Sequence, residues 1–378
     1  DGPRHSGCDR GNLGCIGAGA VKPGARGIRL GVVGAGKIGT HRARLATEHS
    51  AIDHLAIVDV DSRRAEQLAS AVGADSWGTD LETAISEQSL DAVIVSTPEG
   101  AHHAPVITAL DRGARVLVEK PLALDRDEAR NMVATGGDLK VAYSMRYAQR
   151  FAVAKQQLTE GKIGGIVGGL ARVYDTLAVG RAILDRSPTA GPVADILTYA
   201  IDVLLWCVPS RPVEVVARSS GRILRSEGHD VDDLVCAVLT FEDGTIFDLV
   251  VSYSLPSGFP TAGLSTRIEL IGDAGALFVT EDHGDQILYT EEGYDNAYVD
   301  QHLHLAYLGS RTSGEWALGR MFGRVADETR AWLDHLSTGA PCHITTAAEA
   351  LTVLDVTIAI EEAARTGRTI EIGSDHDE

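Results

Sequence analysis

Between Ile28 and Asp59 the chain carries a pattern that few folds can accommodate. IRLGVV (Ile28 to Val33) reads as a short apolar strand. GAGKIG follows and sets Gly34, Gly36 and Gly39 in G-x-G-x-x-G spacing. A helix is expected over Thr40 to His49, then a second apolar strand over Leu55 to Val58. Each glycine has a steric reason in such a unit. The first permits the tight turn, the second lets a pyrophosphate approach the backbone, and the third lets helix and strand pack closely. The helix start offers free N–H groups and a positive dipole end to phosphate. Asp59 closes the second strand about 20 residues beyond the glycines, where a carboxylate accepts both ribose hydroxyls and repels a 2′-phosphate. The implied ligand is therefore NAD, with NADP less favoured. Arg63 and Arg64 follow closely and soften the preference.

The alternation continues. Helices are expected over Asp80 to Ser86, Ala101 to Arg112 and Asp125 to Ala134, with strands over Asp91 to Thr97 and Arg115 to Pro121. Such a run builds a parallel, doubly wound sheet, which binds ligands beyond the carboxyl ends of its strands. Thr97-Pro98 and Glu119-Lys120-Pro121 lie at two such ends. Lys120 is an unusual charge to leave there. Its donors suit a substrate hydroxyl, and partial burial is expected to lower its pKa towards proton transfer. A phosphate-binding or merely solvated lysine is the competing reading.

The second half has a different rhythm. After a helix over Phe151 to Glu160, strand-like runs follow one another at Gly169 to Tyr174, Val213 to Arg218, Leu234 to Phe241, Thr245 to Tyr253, Arg267 to Ile271 and Ala276 to Thr280. Strands without intervening helices imply an antiparallel sheet. Its second face needs a cover, often another subunit, so a homodimer or homotetramer is expected. Helices over Arg324 to His335 and Ala347 to Arg365 end the pattern. Residues 1–27 lack periodicity and read as a disordered tail, an added remnant or a processed end. Residues 373–378 read as a frayed acidic end.

Length and charge narrow the class. A chain of 378 residues suits two domains, here 28–143 for the nucleotide and 144–372 for substrate and oligomer contacts. Lys and Arg total 34 against 53 Asp and Glu, a net charge of -19, which argues against nucleic acid and anionic membranes as partners. No apolar run approaches the roughly 20 residues of a bilayer span. The five cysteines show no close pairing and no C-x-x-C, so neither a disulfide framework nor a zinc site is indicated, and a cytoplasmic setting is the default. Cys207 and Cys236 are expected in the core. His302 and His304 share a strand face without a metal-ligand set around them, so no metal is expected. Arg172, Arg181 and Arg186 precede the next segment and are candidates to grip an anionic group, surface charge being as good a reading.

That segment is GPVADILTYAIDVLLW (Gly191 to Trp206). Asp195, Tyr199 and Asp202 are spaced by four and three, so one helix face would carry all three. Ile196, Leu197, Ile201, Val203 and Leu204 would face the core. The polar stripe points either into a cleft or into a satisfied buried cluster.

The ordered set GAGKIG, DVDSRRA, STPEGAHH, EKPLAL, SMRY and GKIGGI resembles the Gfo/Idh/MocA superfamily of glucose–fructose oxidoreductase and inositol dehydrogenase. The resemblance runs from about Ile28 to Ile372. It implies an N-terminal Rossmann sheet followed by an α/β domain on a large, mostly antiparallel sheet, with the last helix packing near the nucleotide domain. It implies an NAD(P)-dependent oxidoreductase of sugars, polyols or related cyclic alcohols. Lys120 matches the catalytic lysine, commonly followed by a cis proline. The implied nucleotide contacts are Gly34, Gly36, Lys37, Ile38, Gly39, Asp59, Arg64, Thr97, Pro98, His102, Glu119 and Lys120. The implied catalytic residues are Lys120, Tyr199 and Asp195, and the substrate set is Lys120, Arg146, Asp195, Tyr199 and Asp202. Two positions depart from the pattern. Glu99 stands where Asn often follows Thr-Pro, and Tyr199 stands where D-x-x-x-H-x-x-D has His. A tyrosine, ordinarily near 10, needs a nearby cation such as Lys120 to serve as a base. Two other readings keep the fold: an NAD-dependent glycoside-cleaving enzyme working by transient oxidation, and a non-catalytic regulator responsive to nucleotide or sugar.

Overall fold

The computed structural model describes residues 27–256, 264–280, 286–295, 302–307, 315–317 and 320–373. The tail at 1–27 apart from Gly27, the acidic end beyond Gly373, and both Cys8 and Cys15 lie outside the described residues.

Six strands open the chain: β1 (Ile28–Val33), β2 (Ile52–Val58), β3 (Ser76–Gly78), β4 (Ala92–Val95), β5 (Arg115–Glu119) and β6 (Leu139–Ala142). Helices α1 (Lys37–Thr47), α2 (Ser62–Val72), α3 (Leu81–Gln88), α4 (His103–Asp111) and α5 (Arg126–Ala134) connect them. The strands lie side by side as β3-β2-β1-β4-β5-β6, all parallel. That order reverses between β1 and β4, the switch point at which such sheets bind nucleotides. Both faces are covered. Val93 and Val95 of β4 join one apolar layer and Ala92 and Ile94 the other, which is why the strand sequences are almost wholly aliphatic. The sequence pattern passes over β3 and β6, short strands without strong flanking signals. It also starts the first helix late: α1 begins at Lys37, immediately after the second glycine, so Gly39 lies inside it.

The second sheet is built from β7 (Ile166–Thr176), β8 (Pro212–Ser220), β9 (Leu234–Phe241), β10 (Ile246–Leu255), β11 (Ser265–Gly272), β12 (Gly275–Thr280), β13 (Gln286–Asp295) and β14 (His302–Tyr307). Its pairs are antiparallel except β7 with β10. Phe247, Leu249 and Val251 of β10 are buried, while the alternate positions Ile246 and Asp248 are exposed. Cys236 on β9 follows this alternation and is exposed, so its expected core position is corrected; Cys207 is buried. An apolar run alone does not say which face a strand residue takes.

A hairpin, β15 (Glu315–Ala317) and β16 (Arg320–Phe322), precedes the last helices. Helices α6 (Gln149–Thr159), α7 (Leu177–Arg186), α8 (Thr198–Cys207), α9 (Arg324–Thr338) and α10 (Ala347–Thr366) complete the chain. Helix α7 lies where the sequence pattern offers no element. Helix α10 packs on α5, α8 and β8, and α9 on α1. The return is closer than a packed helix. Strand β17 (Thr345–Thr346) pairs with β6 of the first sheet, and β18 (Ile370–Glu371) with β8 of the second.

Candidate active site

The glycine loop has the geometry its spacing implies. Gly34 has φ of 97°, and a Cβ on it would meet the Ser96 carbonyl oxygen at 2.5 Å. A Cβ on Gly39 would meet the Gly34 oxygen at 1.8 Å. Nothing lies within 4 Å of a Cβ on Gly36. The outer glycines are thus demanded by packing, and the middle one opens on free space, which is what a pyrophosphate lying on the backbone requires. No side chain caps α1 and no acid stands in its first turn. Lys37 and Ile38 are exposed at its start.

Asp59 follows β2 and is 8% exposed. One carboxylate oxygen accepts from Ala35 N at 2.7 Å and the other from Asp61 N at 2.9 Å. The acid therefore braces the glycine loop, a role the spacing alone does not disclose. Each oxygen keeps a further lone pair for a hydroxyl. Arg64 is exposed and leans towards Asp61.

Thr97 Oγ1 donates to the Ala101 carbonyl, folding Pro98 and the short helical turn Glu99–Ala101 over the end of β4. His102 is 1% exposed. Its Nδ1 faces the Pro121 carbonyl at 2.9 Å and its Nε2 the Thr97 carbonyl at 3.1 Å. It joins the loop after β4 to the loop after β5. Glu99 does not point to open space either. Arg186 and Ser187 donate to it at 2.6 and 2.9 Å. Burial alone would raise its carboxyl, but these bonds hold it down at about 2. Arg186 is thereby placed beside the site, whereas Arg181 pairs with Glu227 and Arg172 stacks on Tyr174.

Lys120, first residue after β5, precedes a cis Pro121. Its Nζ donates to the Asp195 carboxylate at 2.8 Å and to the Asp195 carbonyl at 2.7 Å. It lies 4.8 Å from the centre of the Tyr199 ring, and the Arg324 guanidinium 5.6 Å from the same ring. Tyr253 donates from its hydroxyl to the other Asp195 oxygen at 2.7 Å. Asp175, at the end of β7, is pushed up to about 6 by burial and by the charge of Asp195.

These contacts correct two expectations. Burial by itself would depress the Lys120 ammonium, but Asp195 and then Tyr199 outweigh it and hold the lysine above its ordinary value. Burial likewise raises the Tyr199 phenol against the opposing pull of Lys120 and Arg324. The resting pair is a charged lysine and a neutral tyrosine.

The three-residue stripe also divides. Val193–Leu197 is a π-helical turn, and α8 starts at Thr198. A π turn takes more residues than the 3.6 of an α-helix, so an α-helical register does not carry through it. Asp195 and Tyr199 reach Lys120. Asp202 is fully buried elsewhere, bound by Arg146 at 2.7 and 2.9 Å and by the Thr345 hydroxyl at 2.8 Å. Arg146 also reaches Glu349 at 3.2 Å. This pair joins α8 to the head of α10 and is not part of the Lys120 cluster. Tyr253, Asp175 and Arg324 escape the sequence reading, because a tyrosine in a strand or an acid at its end looks like ordinary core or rim.

Among the described residues no group of three or more His, Cys, Asp and Glu is placed to hold a metal. His304 is exposed, its Nδ1 donating to the Thr290 carbonyl, and the side chain of His302 lies outside the described residues. No helix among them is long and apolar enough to cross a membrane.

Residues 28–147 match the oxidoreductase family described as an NAD-binding Rossmann fold, and residues 151–278 match the GFO/IDH/MocA C-terminal domain. The chain belongs to the Gfo/Idh/MocA oxidoreductase family. Its cofactor is NAD, and the open loop at Gly36 with Asp59 behind it fits that group. Among curated relatives, scyllo-inositol 2-dehydrogenase (NAD(+)) of Bacillus subtilis is 26% identical over 260 residues, covering 67% of this chain and 73% of that one. Inositol 2-dehydrogenase of Acidothermus cellulolyticus is 26% identical over 322 residues, covering 83% and 90%. The fold is shared with scyllo-inositol dehydrogenase from Lactobacillus casei with bound NAD(H) and scyllo-inositol, at a TM-score of 0.72 and 20% identity over 92% of this chain and all of that one.

Proposed function

We propose that this protein is an NAD-dependent dehydrogenase of a polyol, sugar or related cyclic alcohol, with Lys120, Tyr199 and Asp195 at the reacting centre. The observation that carries the reading is the Lys120–Asp195–Tyr199 cluster at the carboxyl end of β5, on the edge of the parallel sheet that also carries the glycine loop after β1. Asp195 keeps Lys120 charged, so the lysine serves as donor and electrostatic anchor for the substrate oxygen. Tyr199 is the group that exchanges the proton of that oxygen. The bound nicotinamide supplies the acceptor for the hydride from the same carbon. The curated relatives named for inositol oxidation support a hydroxyl-rich ring as substrate.

In this reading residues 28–143 hold the nucleotide and residues 144–372 hold the substrate and the subunit contacts. Ile246 of β10 and Val216 of β8 are exposed on the second sheet. That outer face is the proposed seam of a homodimer or homotetramer. A panel of inositols, sugars and polyols, followed by NADH absorbance, tests the activity. Failure of every cyclic polyol and sugar to form NADH, with NAD binding intact, would refute it.

A further inference from the structure

A buried set of charges links α9 to the residue beside Lys120. Arg42 on α1 is 1% exposed. Its Nε and Nη2 reach Glu119 Oε1 at 2.9 and 2.8 Å. The same Nη2 donates to Glu328 Oε2 at 2.6 Å, and Nη1 donates to Thr329 Oγ1 at 2.6 Å. Glu328 and Thr329 are adjacent on α9, and both are fully buried. The guanidinium is thus fixed by two elements at once, with little freedom to swing.

The grip falls on one oxygen of Glu119. Among the described residues its Oε2 accepts no hydrogen bond, and the side chain keeps 16% exposure at the carboxyl end of β5. One oxygen held and one presented is the arrangement that orients a carboxylate towards a hydroxyl donor. Two full negative charges on one buried guanidinium would be costly, and burial, with the charge of Glu119 beside it, pushes the Glu328 carboxyl up to about 7 against the pull of Arg42. Glu328 Oε1 has no hydrogen-bond partner among the described residues. Neutralising Arg42 needs one acid, and Glu119 already supplies it. The second acid contributes orientation.

We propose that Glu328 and Thr329 act through Arg42 as positioning residues for Glu119, so that the affinity for NAD is set partly from α9. The proposal rests on Glu119 being a nucleotide contact. It concerns the pose of Glu119, not the contacts that Lys120 makes with Asp195 and the Tyr199 ring.

The test is NAD binding by calorimetry on the full chain, with the melting temperature of the nucleotide-free protein followed alongside. Glu119→Gln, Glu328→Gln and their double variant form a cycle. Each single variant is expected to weaken NAD by roughly tenfold, the scale of one hydrogen bond to a charged group. The double variant should be no worse than the weaker single one, because both act on one contact. In Glu328→Gln the KM for NAD should rise while kcat at saturating NAD is kept. A Glu328→Gln protein that binds NAD as tightly as the parent, while Glu119→Gln does not, overturns the proposal. So do losses that simply multiply. If Glu119→Gln itself leaves NAD binding unchanged, the reading of Glu119 fails and takes the relay with it. Should Glu328→Gln not fold, Thr329→Val is expected to weaken NAD by about threefold in the parent and not at all in the Glu119→Gln background. A loss that persists in that background refutes the relay.

Discussion

Lys120 and Asp195 are joined twice, through the carboxylate at 2.8 Å and through the main-chain carbonyl at 2.7 Å. The two hydrogen bonds fix the ammonium in position and in charge, and both acceptors come from a π-helical turn that carries Asp195 away from the register of α8. Asp195→Asn should therefore keep Lys120 in place through the carbonyl while removing the countercharge. We expect kcat to fall by about 10²–10³-fold with NAD binding kept. Lys120→Ala should be at least as damaging. Near-parent turnover for both variants would sink the assignment.

Tyr199→Phe preserves the packing of the ring against Tyr143 and removes only the hydroxyl. A positioned acid–base group contributes about 10²–10⁴-fold, so a loss of that size is expected in kcat. Combined with Lys120→Ala it should add little, since the two residues act as a unit. Tyr199→His should retain part of the activity, because imidazole titrates near neutrality. Steady-state kinetics of the single and double variants give the answer.

The protonation states set a pH dependence with a definite sign. Burial holds Tyr199 above the ordinary phenol value despite Lys120 and Arg324, so it is neutral at pH 7. A neutral phenol can donate a proton to a carbonyl. Accepting one from an alcohol requires its ionised form, which grows with pH. Oxidation should therefore speed up towards alkaline pH with no plateau at neutrality, and carbonyl reduction should not. Because the pair is coupled, the apparent pKa belongs to both residues. A rate of oxidation that levels off near pH 7 would contradict this.

Asp59 holds Ala35 N, and in the proposed reading it also receives the ribose hydroxyls. NAD should be preferred to NADP in kcat/KM. Asp59→Ser should shrink that preference and also weaken NAD itself, since the loop loses its brace. A parent enzyme that favours NADP would show the role of Asp59 to be structural alone.

Asp202 and Arg146 bury each other, so their variants should report on folding. Asp202→Ala leaves the buried guanidinium with only Glu349, 3.2 Å away, as countercharge, a loss on the order of the 3–5 kcal/mol of a broken buried pair or somewhat less. A large drop in melting temperature is expected, with Asp202→Asn milder. If Asp202 instead touched substrate, KM would rise at unchanged stability, and thermal melts beside kinetics separate the two.

Much of the first sheet was legible because its code is local. Gly39 is demanded by the Gly34 carbonyl of its own loop, Gly34 by its positive φ and the Ser96 carbonyl, and Gly36 stands on open space, all at a fixed local spacing, while each buried strand is a short aliphatic run. Lys120 stood out as a charge at the end of such a run. The stripe at Asp195, Tyr199 and Asp202 was legible as a pattern but not as a geometry, since nothing in its spacing announces a π turn. Tyr253, Arg324 and the Arg42–Glu119–Glu328 set join residues far apart in the chain, so their chemistry is invisible until the fold brings them together. Cys236 departs from its expected core position for a related reason: its neighbours along the strand are apolar, yet its side of the sheet is exposed.

Strands β17 and β18 are two residues each, but they close different sheets from opposite ends of α10. A ribosome delivers residues 345–371 after everything they complete. Both sheets therefore wait, with one edge unpaired, until this segment has emerged. The backbones of β6 and β8 on those edges find their partners only when this later segment reaches them.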